Sequence, residues 1–242
     1  MFMTKILDFL FPPSCPLCGD NVGADGTLCA ACWGKINWIG NPKCWVCGYP
    51  FPADMDLGPR PLCPVCAAGK SELDWLRSAC VYDAASREIM LPFKHSGTLK
   101  FGRVMSNAMI GAMRDFDAST LPAPDLIIPV PLAYFRIWKR GYNQAAVLAR
   151  PIAAHLEIPV DVSSVRRTYR RDMGHLNQRQ RRENIKGVFH VRRPKNIVGK
   201  NILIVDDVMT TGATFSELRR VLKRAGAANV YGISFCRVVK AI

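Results

Sequence analysis

The sequence contains little that would place it in a membrane or among proteins with a Walker-type loop. No run of apolar residues approaches the roughly 18 that a bilayer-spanning helix needs, so we expect no membrane insertion. No Gly-x-x-x-x-Gly-Lys motif occurs, which excludes the Walker loop. Acidic residues are few, since 19 Asp and Glu stand against 33 Lys and Arg and give a formal charge of +14. Such an excess favours anionic partners such as phosphates, nucleic acid or acidic membrane surfaces.

The first eleven residues, MFMTKILDFLF, are apolar but lack the small-residue cleavage site of a signal peptide. Lys5 and Asp8 interrupt the apolar run, so we expect a short docking helix here and a cytoplasmic protein. Over the whole chain 49% of the residues are hydrophobic and 21% are charged. That balance is typical of a globular protein with a buried core.

Eight of the ten cysteines fall in the first third of the chain, as four Cys-x-x-Cys pairs. The first group is Cys15, Cys18, Cys29 and Cys32, and the second is Cys44, Cys47, Cys63 and Cys66. Two residues between paired cysteines let one turn aim both thiolates at one Zn²⁺ ion, and the metal offsets the ordering of a segment too small for a core. We therefore predict two zinc ribbons with structural zinc, because four thiolates leave no open position for a reactive water.

Other arrangements of these cysteines are possible. A disulfide framework is disfavoured by the regular pairing and by the missing signal peptide. An interleaved, cross-braced site, in which the first pair joins the third, is compatible with the spacing. Cys80 and Cys236 stand alone in apolar, strand-like stretches and are expected in the core. The change in composition after the cysteines predicts two domains, residues 1–72 and 73–242.

From about residue 75, short β-branched runs alternate with amphipathic helical stretches, which is typical of an α/β domain with a parallel sheet. The pattern predicts strands at 126–131, 201–205 and 229–238, a helix at 143–155, and a last helix that Gly226 ends. The strands at 201–205 and 229–238, joined by that helix, form a crossover. Ligands of such sheets gather at the carboxyl ends of the strands, which is where Asp206 and Asp207 then lie.

Asp206 and Asp207 together are costly at the end of a buried strand unless they are partnered. Ribose hydroxyls, a Mg²⁺ ion or basic side chains would each satisfy them, and a capped turn without a ligand is the plainer alternative. The next segment offers small side chains, hydroxyls and backbone N–H groups at a helix start, namely Thr210, Thr211, Gly212, Ala213 and Thr214. This composition is typical of a phosphate site, so the segment favours a ligand.

The string VDDVMTTGAT closely resembles the phosphoribosyl-pyrophosphate motif of type I phosphoribosyltransferases. By that resemblance, Asp206 and Asp207 would hold the 2′- and 3′-hydroxyls of the ribose, residues 210–214 would surround its 5′-phosphate, and Mg²⁺ would accompany the ligand. At the place of that family's pyrophosphate loop stand Arg136, Arg140 and Gly141. Lys94 is a second candidate for the pyrophosphate, with a solvated loop lysine as the alternative.

Further motifs run through the whole chain: FKHSG at 93–97, PVPL at 129–132, RGYNQ at 140–144 and HLNQRQRREN at 175–184. With the cysteine pairs and the acidic-pair loop, they resemble the competence protein F (ComF) family, whose members are linked with DNA uptake in natural transformation. The resemblance implies an α/β fold with a type I phosphoribosyltransferase-like parallel sheet flanked by helices, and a small N-terminal double zinc-ribbon domain.

Seven arginines crowd the segment where the resembled enzymes carry a lid over an anionic substrate, namely Arg166, Arg167, Arg170, Arg171, Arg179, Arg181 and Arg182. Tyr169 and His175 stand among them, a composition that suits single-stranded DNA, although a solvated helix face is the alternative. Two functions follow. One is transfer of a phosphoribosyl group to an acceptor, and the other is a non-catalytic accessory protein that binds single-stranded DNA and keeps the phosphoribosyl-pyrophosphate pocket.

Overall fold

The computed structural model describes residues 12–69, 73–95, 99–134, 138, 141–169 and 183–239. The strands are β1 (Trp75–Val81), β2 (Leu126–Pro129), β3 (Val165–Arg167), β4 (Phe189–Val191), β5 (Asn201–Met209) and β6 (Asn229–Arg237). The helices are α1 (Ala30–Lys35), α2 (Pro64–Ala67), α3 (Ala84–His95), α4 (Leu99–Ala112), α5 (Gln144–Leu156) and α6 (Ala213–Arg224), with a 3-10 turn at Pro194–Asn196. The main sheet is parallel in the order β1-β6-β5-β2, and β3 pairs with β4 in a small antiparallel sheet.

Helices cover both faces of the parallel sheet. On one face, α4 and α5 pack on the strands through buried apolar side chains such as Met105 and Leu148. On the other face, α6 contributes Phe215 and Leu218 to a second apolar cluster. No helix in the described part of the chain combines the length and the apolar character that crossing a bilayer requires. The predicted α/β class with a parallel sheet flanked by helices is confirmed.

The strand β5 is longer than the sequence pattern predicts, because it continues from Val205 to Met209. Its neighbour β6 stays in register over this extension, with Val208 opposite Cys236 and Met209 opposite Arg237. Pairing with β6 therefore extends β5 over the polar residues Asp206 and Asp207, which the hydrophobic pattern places after the end of the strand. Cys80 and Cys236 are fully buried in neighbouring strands, as predicted.

The cysteine-rich segment lies along the outer edge of β1. Ile39 donates its N–H to the Ala79 carbonyl, and Val81 donates to Asn37, both at 2.9 Å. Farther along the same strand, the N–H of Leu76 donates to a carbonyl in the second ribbon. These contacts satisfy backbone groups that an edge strand would otherwise expose. Apolar side chains of the first ribbon are also part of the core on the α4 and α5 face of the sheet.

Candidate functional site

The eight paired cysteines form two clusters in which all four sulfur atoms lie within 4.8 Å of one another. The first cluster contains Cys15, Cys18, Cys29 and Cys32, and the second contains Cys44, Cys47, Cys63 and Cys66. Each cluster thus joins pairs that are consecutive in the sequence, so the structure does not adopt the interleaved arrangement. All ten cysteines are free thiols, and the disulfide framework is likewise absent from the described chain.

The geometry of both clusters fits a tetrahedral ion of the size of Zn²⁺. Four thiolates at a Zn–S distance of about 2.3 Å lie about 3.8 Å apart along each edge of the tetrahedron. The Cys18 and Cys29 sulfurs are 3.5 Å apart, and those of Cys47 and Cys63 are 3.6 Å apart. Thiolates are also the donors that structural zinc sites use. The residues therefore fit zinc in each ribbon, with no vacant coordination position for a reactant.

The acidic pair lies near the carboxyl end of β5, in the middle of the parallel sheet. Asp206 and Asp207 are half-buried, and the Asp207 N–H donates to the Asp206 side chain at 2.9 Å. Burial, followed by the neighbouring Asp207 carboxylate, raises the pKa of Asp206 well above its ordinary value. The positive charges of Lys94 and Arg167 act on the Asp206 pKa in the opposite direction. The site therefore places two carboxyl groups at a partly desolvated point, where burial disfavours a second negative charge unless a partner compensates it.

The segment after β5 turns directly into α6. Gly212 has a φ of 75° and is the N-cap of the helix, and no described side chain caps it. The Thr211 hydroxyl accepts a long hydrogen bond from the Ala213 N–H at 3.4 Å. The first N–H groups of a helix have no partner within the helix, and together they attract an anion. The loop thus presents backbone donors a few residues from the acidic pair, as a phosphate site requires.

Lys94 reaches the acidic pair from α3. Its Nζ lies 3.0 Å from an oxygen of Asp207, and both side chains are largely shielded from solvent. The Tyr142 hydroxyl donates to the carbonyl of Phe93, the residue before Lys94, so the segment after Gly141 is tied to the end of α3. Gly141 itself has a φ of 78°, a conformation that favours glycine. The structure therefore brings Lys94 to the acidic pair, where its observed partner is Asp207.

Several predicted residues lie outside the described part of the chain. They are Arg136 and Arg140 of the predicted pyrophosphate loop, and Arg170, Arg171, Arg179, Arg181 and Arg182 of the arginine-rich segment. Two of the seven arginines are described. Arg166 is exposed on β3, while Arg167 is half-buried with its guanidinium 5.6 Å from the centre of the Phe189 ring. These two neighbouring arginines therefore occupy different environments.

Two residues of this region carry roles that the sequence did not assign. Tyr142 belongs to the RGYNQ motif, but nothing in the motif indicates that its hydroxyl bonds to a residue 49 positions earlier. Arg167 looks like one member of a basic run, yet its charge acts on the Asp206 carboxyl, whose pKa it lowers. No pattern in the sequence separates Arg167 from its neighbour Arg166, because β3 has only three residues and is too short to show an alternation.

The fold and these two kinds of site define a class of protein, a phosphoribosyltransferase-type α/β domain joined to zinc ribbons. Residues 6–81 match the family model of the double zinc ribbon domain, and residues 142–239 match that of the phosphoribosyl transferase domain. Among solved structures, the purine phosphoribosyltransferase from Pyrococcus horikoshii Ot3 aligns over 57% of this chain and 75% of its own, with 17% identity and a TM-score of 0.35.

Relatives over nearly the full length identify the family. The DNA utilization protein YhgH of Escherichia coli O157:H7 is 31% identical over 226 residues, which cover 81% of this chain and 97% of that protein. Competence protein F of Haemophilus influenzae is 30% identical over 214 residues, which cover 86% and 89% of the two chains. The chain belongs to the competence protein F (ComF) family. The resemblance stated from the sequence motifs is thereby confirmed.

Proposed function

We propose that this protein binds phosphoribosyl pyrophosphate together with Mg²⁺ at the carboxyl end of β5. The observation that carries the proposal is the half-buried pair Asp206 and Asp207 near the end of β5, followed by a short loop that leads into the start of α6. The ribose 2′- and 3′-hydroxyls would donate hydrogen bonds to the two carboxylates. The 5′-phosphate would accept from the backbone N–H groups of residues 210–214.

The pyrophosphate of the ligand would lie toward α3 and the segment that ends at Gly141. Lys94 lies 3.0 Å from Asp207, and we propose that it turns from this carboxylate to a phosphate oxygen when the ligand binds. We propose Arg136, Arg140 and Gly141 as further pyrophosphate contacts, because a guanidinium can hold two phosphate oxygens at once. Mg²⁺ would neutralise charge on the pyrophosphate, and the oxygen donors of the acidic pair are of the type it prefers.

The reaction that this pocket supports is transfer of the phosphoribosyl group. The bond between ribose C1 and the pyrophosphate oxygen breaks, the electron pair leaves with pyrophosphate, and an acceptor nucleophile forms the new bond at C1. The residues of the pocket contribute by position and by charge, since the ribose is fixed at one end and the leaving group at the other.

Binding is tested by titration calorimetry of the zinc-loaded chain with phosphoribosyl pyrophosphate and Mg²⁺. Asp206→Asn and Asp207→Asn should each weaken binding by about tenfold or more, as expected for a lost hydrogen bond to a charged group. Asp125→Asn is the matched control, because Asp125 accepts the Asn201 N–H at the opposite end of the sheet and should leave binding unchanged. Absence of binding by the parent chain would contradict the proposal. Release of pyrophosphate with a trial acceptor then tests transfer separately.

A second candidate function, binding of single-stranded DNA, is supported by exposed aromatic rings. Tyr134 and Trp138 are 82% and 80% exposed and stand four positions apart. In the sequence, Arg136, Lys139 and Arg140 accompany them, and Tyr169 is 57% exposed beside the arginine-rich segment. Bases stack on such rings while basic groups contact phosphates.

The DNA function is tested by fluorescence anisotropy with a labelled single strand at several salt concentrations. The proposal expects affinity to fall steeply as salt rises and to drop by about tenfold in the double variant Tyr134→Ala, Trp138→Ala. Trp33→Ala is the control, since this ring is 50% exposed but is stacked on Trp38 in the first ribbon. Equal affinities for the double variant and the control would contradict the role of these rings.

A further inference from the structure

A buried arginine connects the parallel sheet to the second cysteine cluster. Arg237 is the last residue of β6, and only 5% of it is exposed. Its Nη1 donates to the Cys47 carbonyl at 2.5 Å, and its guanidinium carbon lies 5.3 Å from the centre of the Tyr49 ring. Cys47 and Tyr49 both belong to the second ribbon, so the arginine side chain passes from the sheet into the zinc-binding segment.

The charge of Arg237 has no carboxylate partner within the described ranges. No aspartate or glutamate oxygen there lies within 4.0 Å of it, and its Nε–H is buried without an acceptor. Arg77 provides the contrast, because it is equally buried but its Nε donates to Asp115 at 2.9 Å. A guanidinium stays protonated in proteins, and a buried charge without a counter-charge is costly. Within the described ranges, a counter-charge for Arg237 therefore has to come from a group other than a carboxylate.

The second cysteine cluster supplies such a group. Four thiolates around one Zn²⁺ ion keep two net negative charges. We propose that the zinc–thiolate cluster of the second ribbon is the counter-ion of Arg237, and that through Arg237 the phosphate loop at residues 210–214 depends on metal in that cluster. This inference rests on the zinc ribbons and on the ligand site proposed above.

One residue pair of the parallel sheet links Arg237 to the phosphate loop. Arg237 lies opposite Met209 in the parallel ladder, and the Val238 N–H donates to the Met209 carbonyl at 2.8 Å. Met209 is the last residue of β5, directly before Thr210. When the second cluster loses its charge, the uncompensated guanidinium destabilises the end of β6 and, with it, the start of the loop. Arg237 is thus a positioning residue for the loop.

The first cysteine cluster is an internal control for this coupling. Within the described residues, no arginine side chain donates a hydrogen bond to Cys15, Cys18, Cys29 or Cys32. Metal in this cluster should therefore leave the phosphate loop unaffected, although both clusters have the same donors.

The counter-ion role is tested by zinc release to a coloured chelator. In Arg237→Gln, one of the two zinc equivalents should leave about 10-fold to 100-fold faster than in the parent, the range seen when a group next to metal ligands is removed. Arg237→Lys keeps the positive charge, so its zinc release rate should stay close to that of the parent chain. Arg60→Gln is the matched control. It removes a positive charge from the same ribbon, but the salt-bridge partner of Arg60 is Asp117 and not the cysteine cluster.

To assign the faster-released zinc ion to the second cluster, the release is measured in a chain whose first cluster cannot bind metal. In the Cys15→Ser, Cys18→Ser background, the accelerated release caused by Arg237→Gln should persist. Equal release rates for Arg237→Gln and Arg60→Gln would overturn the counter-ion role, as would a purified parent chain without zinc.

The coupling to the loop is tested by hydrogen exchange of residues 206–214, followed by mass spectrometry. Exchange should accelerate by about tenfold when Cys63→Ser removes metal from the second cluster, as expected for local opening. Cys18→Ser, which disables the first cluster, should leave exchange unchanged. This measurement tests the coupling between the second cluster and the loop even if Arg237→Gln does not fold. Equal exchange rates in Cys63→Ser and Cys18→Ser would overturn the coupling. Neither readout uses phosphoribosyl pyrophosphate, so a failure to bind that ligand refutes the proposed function and leaves this inference to its own result.

Discussion

The Asp206 carboxyl is half-buried beside a second carboxylate, and its pKa is raised well above that of a free aspartate. A carboxyl group whose pKa is raised by folding contributes its full stabilisation only below its pKa in the unfolded chain, about 3.9. This stabilisation is lost as the pH rises through the higher pKa of the same group in the folded protein. Asp206→Asn keeps an oxygen acceptor for the Asp207 N–H and removes the charge. We expect the variant to be more stable than the parent at pH 7 by about 1 kcal/mol, which raises Tm by roughly 2–4 °C.

Thermal unfolding at pH 7 and at pH 4 checks this expectation. The gain in stability should shrink toward pH 4, because the parent then carries a protonated Asp206. A Tm at pH 7 equal to or below that of the parent would show that the carboxylate is already compensated. Asp125→Asn, at an exposed position, serves as the control for a general charge effect.

Gly212 and Gly199 form a natural pair for testing the phosphate loop. Both have positive φ angles, 75° and 70°, and a Cβ on either one would meet nothing within 4 Å. Each Gly→Ala change should therefore cost about 1–2 kcal/mol of stability through the backbone conformation alone. Only Gly212→Ala should also weaken phosphoribosyl-pyrophosphate binding in calorimetry. A similar loss of binding in both variants would assign the effect to stability and not to the loop.

The role of a residue can be predicted from the sequence where that role depends on neighbouring positions. The acidic pair, the small residues of the loop and the cysteine spacing each indicate a site by themselves. The partner of Lys94, by contrast, is Asp207, 113 positions away, and no local pattern shows that the lysine will be held by an aspartate. Arg77 and Arg237 look like ordinary strand arginines, because their burial depends on a ribbon that packs on them from another part of the chain.

Glu217 connects α6 to the chain that precedes β4. Its carboxylate accepts the Gly187 N–H at 2.7 Å and two hydrogen bonds from Arg220, and it is 5% exposed. The hydrogen bonds from Arg220 are the largest cause of its lowered pKa, so its contribution to stability is present above the unfolded pKa of about 4.3 and is lost as pH falls through the folded pKa.

Glu217→Gln should accordingly lower the free energy of unfolding by about 1.5–3 kcal/mol at pH 7, the range for hydrogen bonds to a charged group. Urea unfolding at pH 7 and pH 3 measures this change, and the difference from the parent should narrow at pH 3. Glu88→Gln, on the exposed side of α3, should be neutral. A constant difference across this pH range would indicate a packing effect instead of an ionic one.

At the level of elements, the sequence was most informative where apolar periodicity is long. The predicted helix at 143–155 corresponds to α5, whose N-cap is Asn143, and the crossover of β5, α6 and β6 is present. The strands β3 and β4 have three residues each, too few to show an alternation, and they were not predicted. The hydrophobic pattern ends β5 too early, because the last residues of the strand are stabilised by pairing with β6, which is a property of the sheet and not of the segment.

At the scale of the whole molecule, we propose that the two predicted domains, residues 1–72 and 73–242, are distinct in sequence but depend on each other for stability. Leu28 and Ile36 of the first ribbon are at most 8% exposed and belong to the same apolar cluster as Trp75 of β1. A chain of residues 73–242 would expose part of that cluster and the buried Arg77. We expect it to unfold at least about 10 °C below the full chain, since several kcal/mol of burial are lost.

Differential scanning fluorimetry and size-exclusion chromatography of the full and shortened chains check this dependence. The zinc-loaded full chain should show one unfolding transition. Two separate transitions, or a shortened chain as stable as the parent, would show instead that the domains fold independently.

The outer edge of β1 has a consequence beyond the binding site. Its backbone groups are occupied by residues 37–39 and by the second ribbon, and the order of both segments is expected to depend on bound metal. Without zinc, the strand becomes a free edge at which a second copy of the chain can add. Scarcity of zinc would therefore favour self-association of the chain, and this association would increase with protein concentration even when the ligand is abundant.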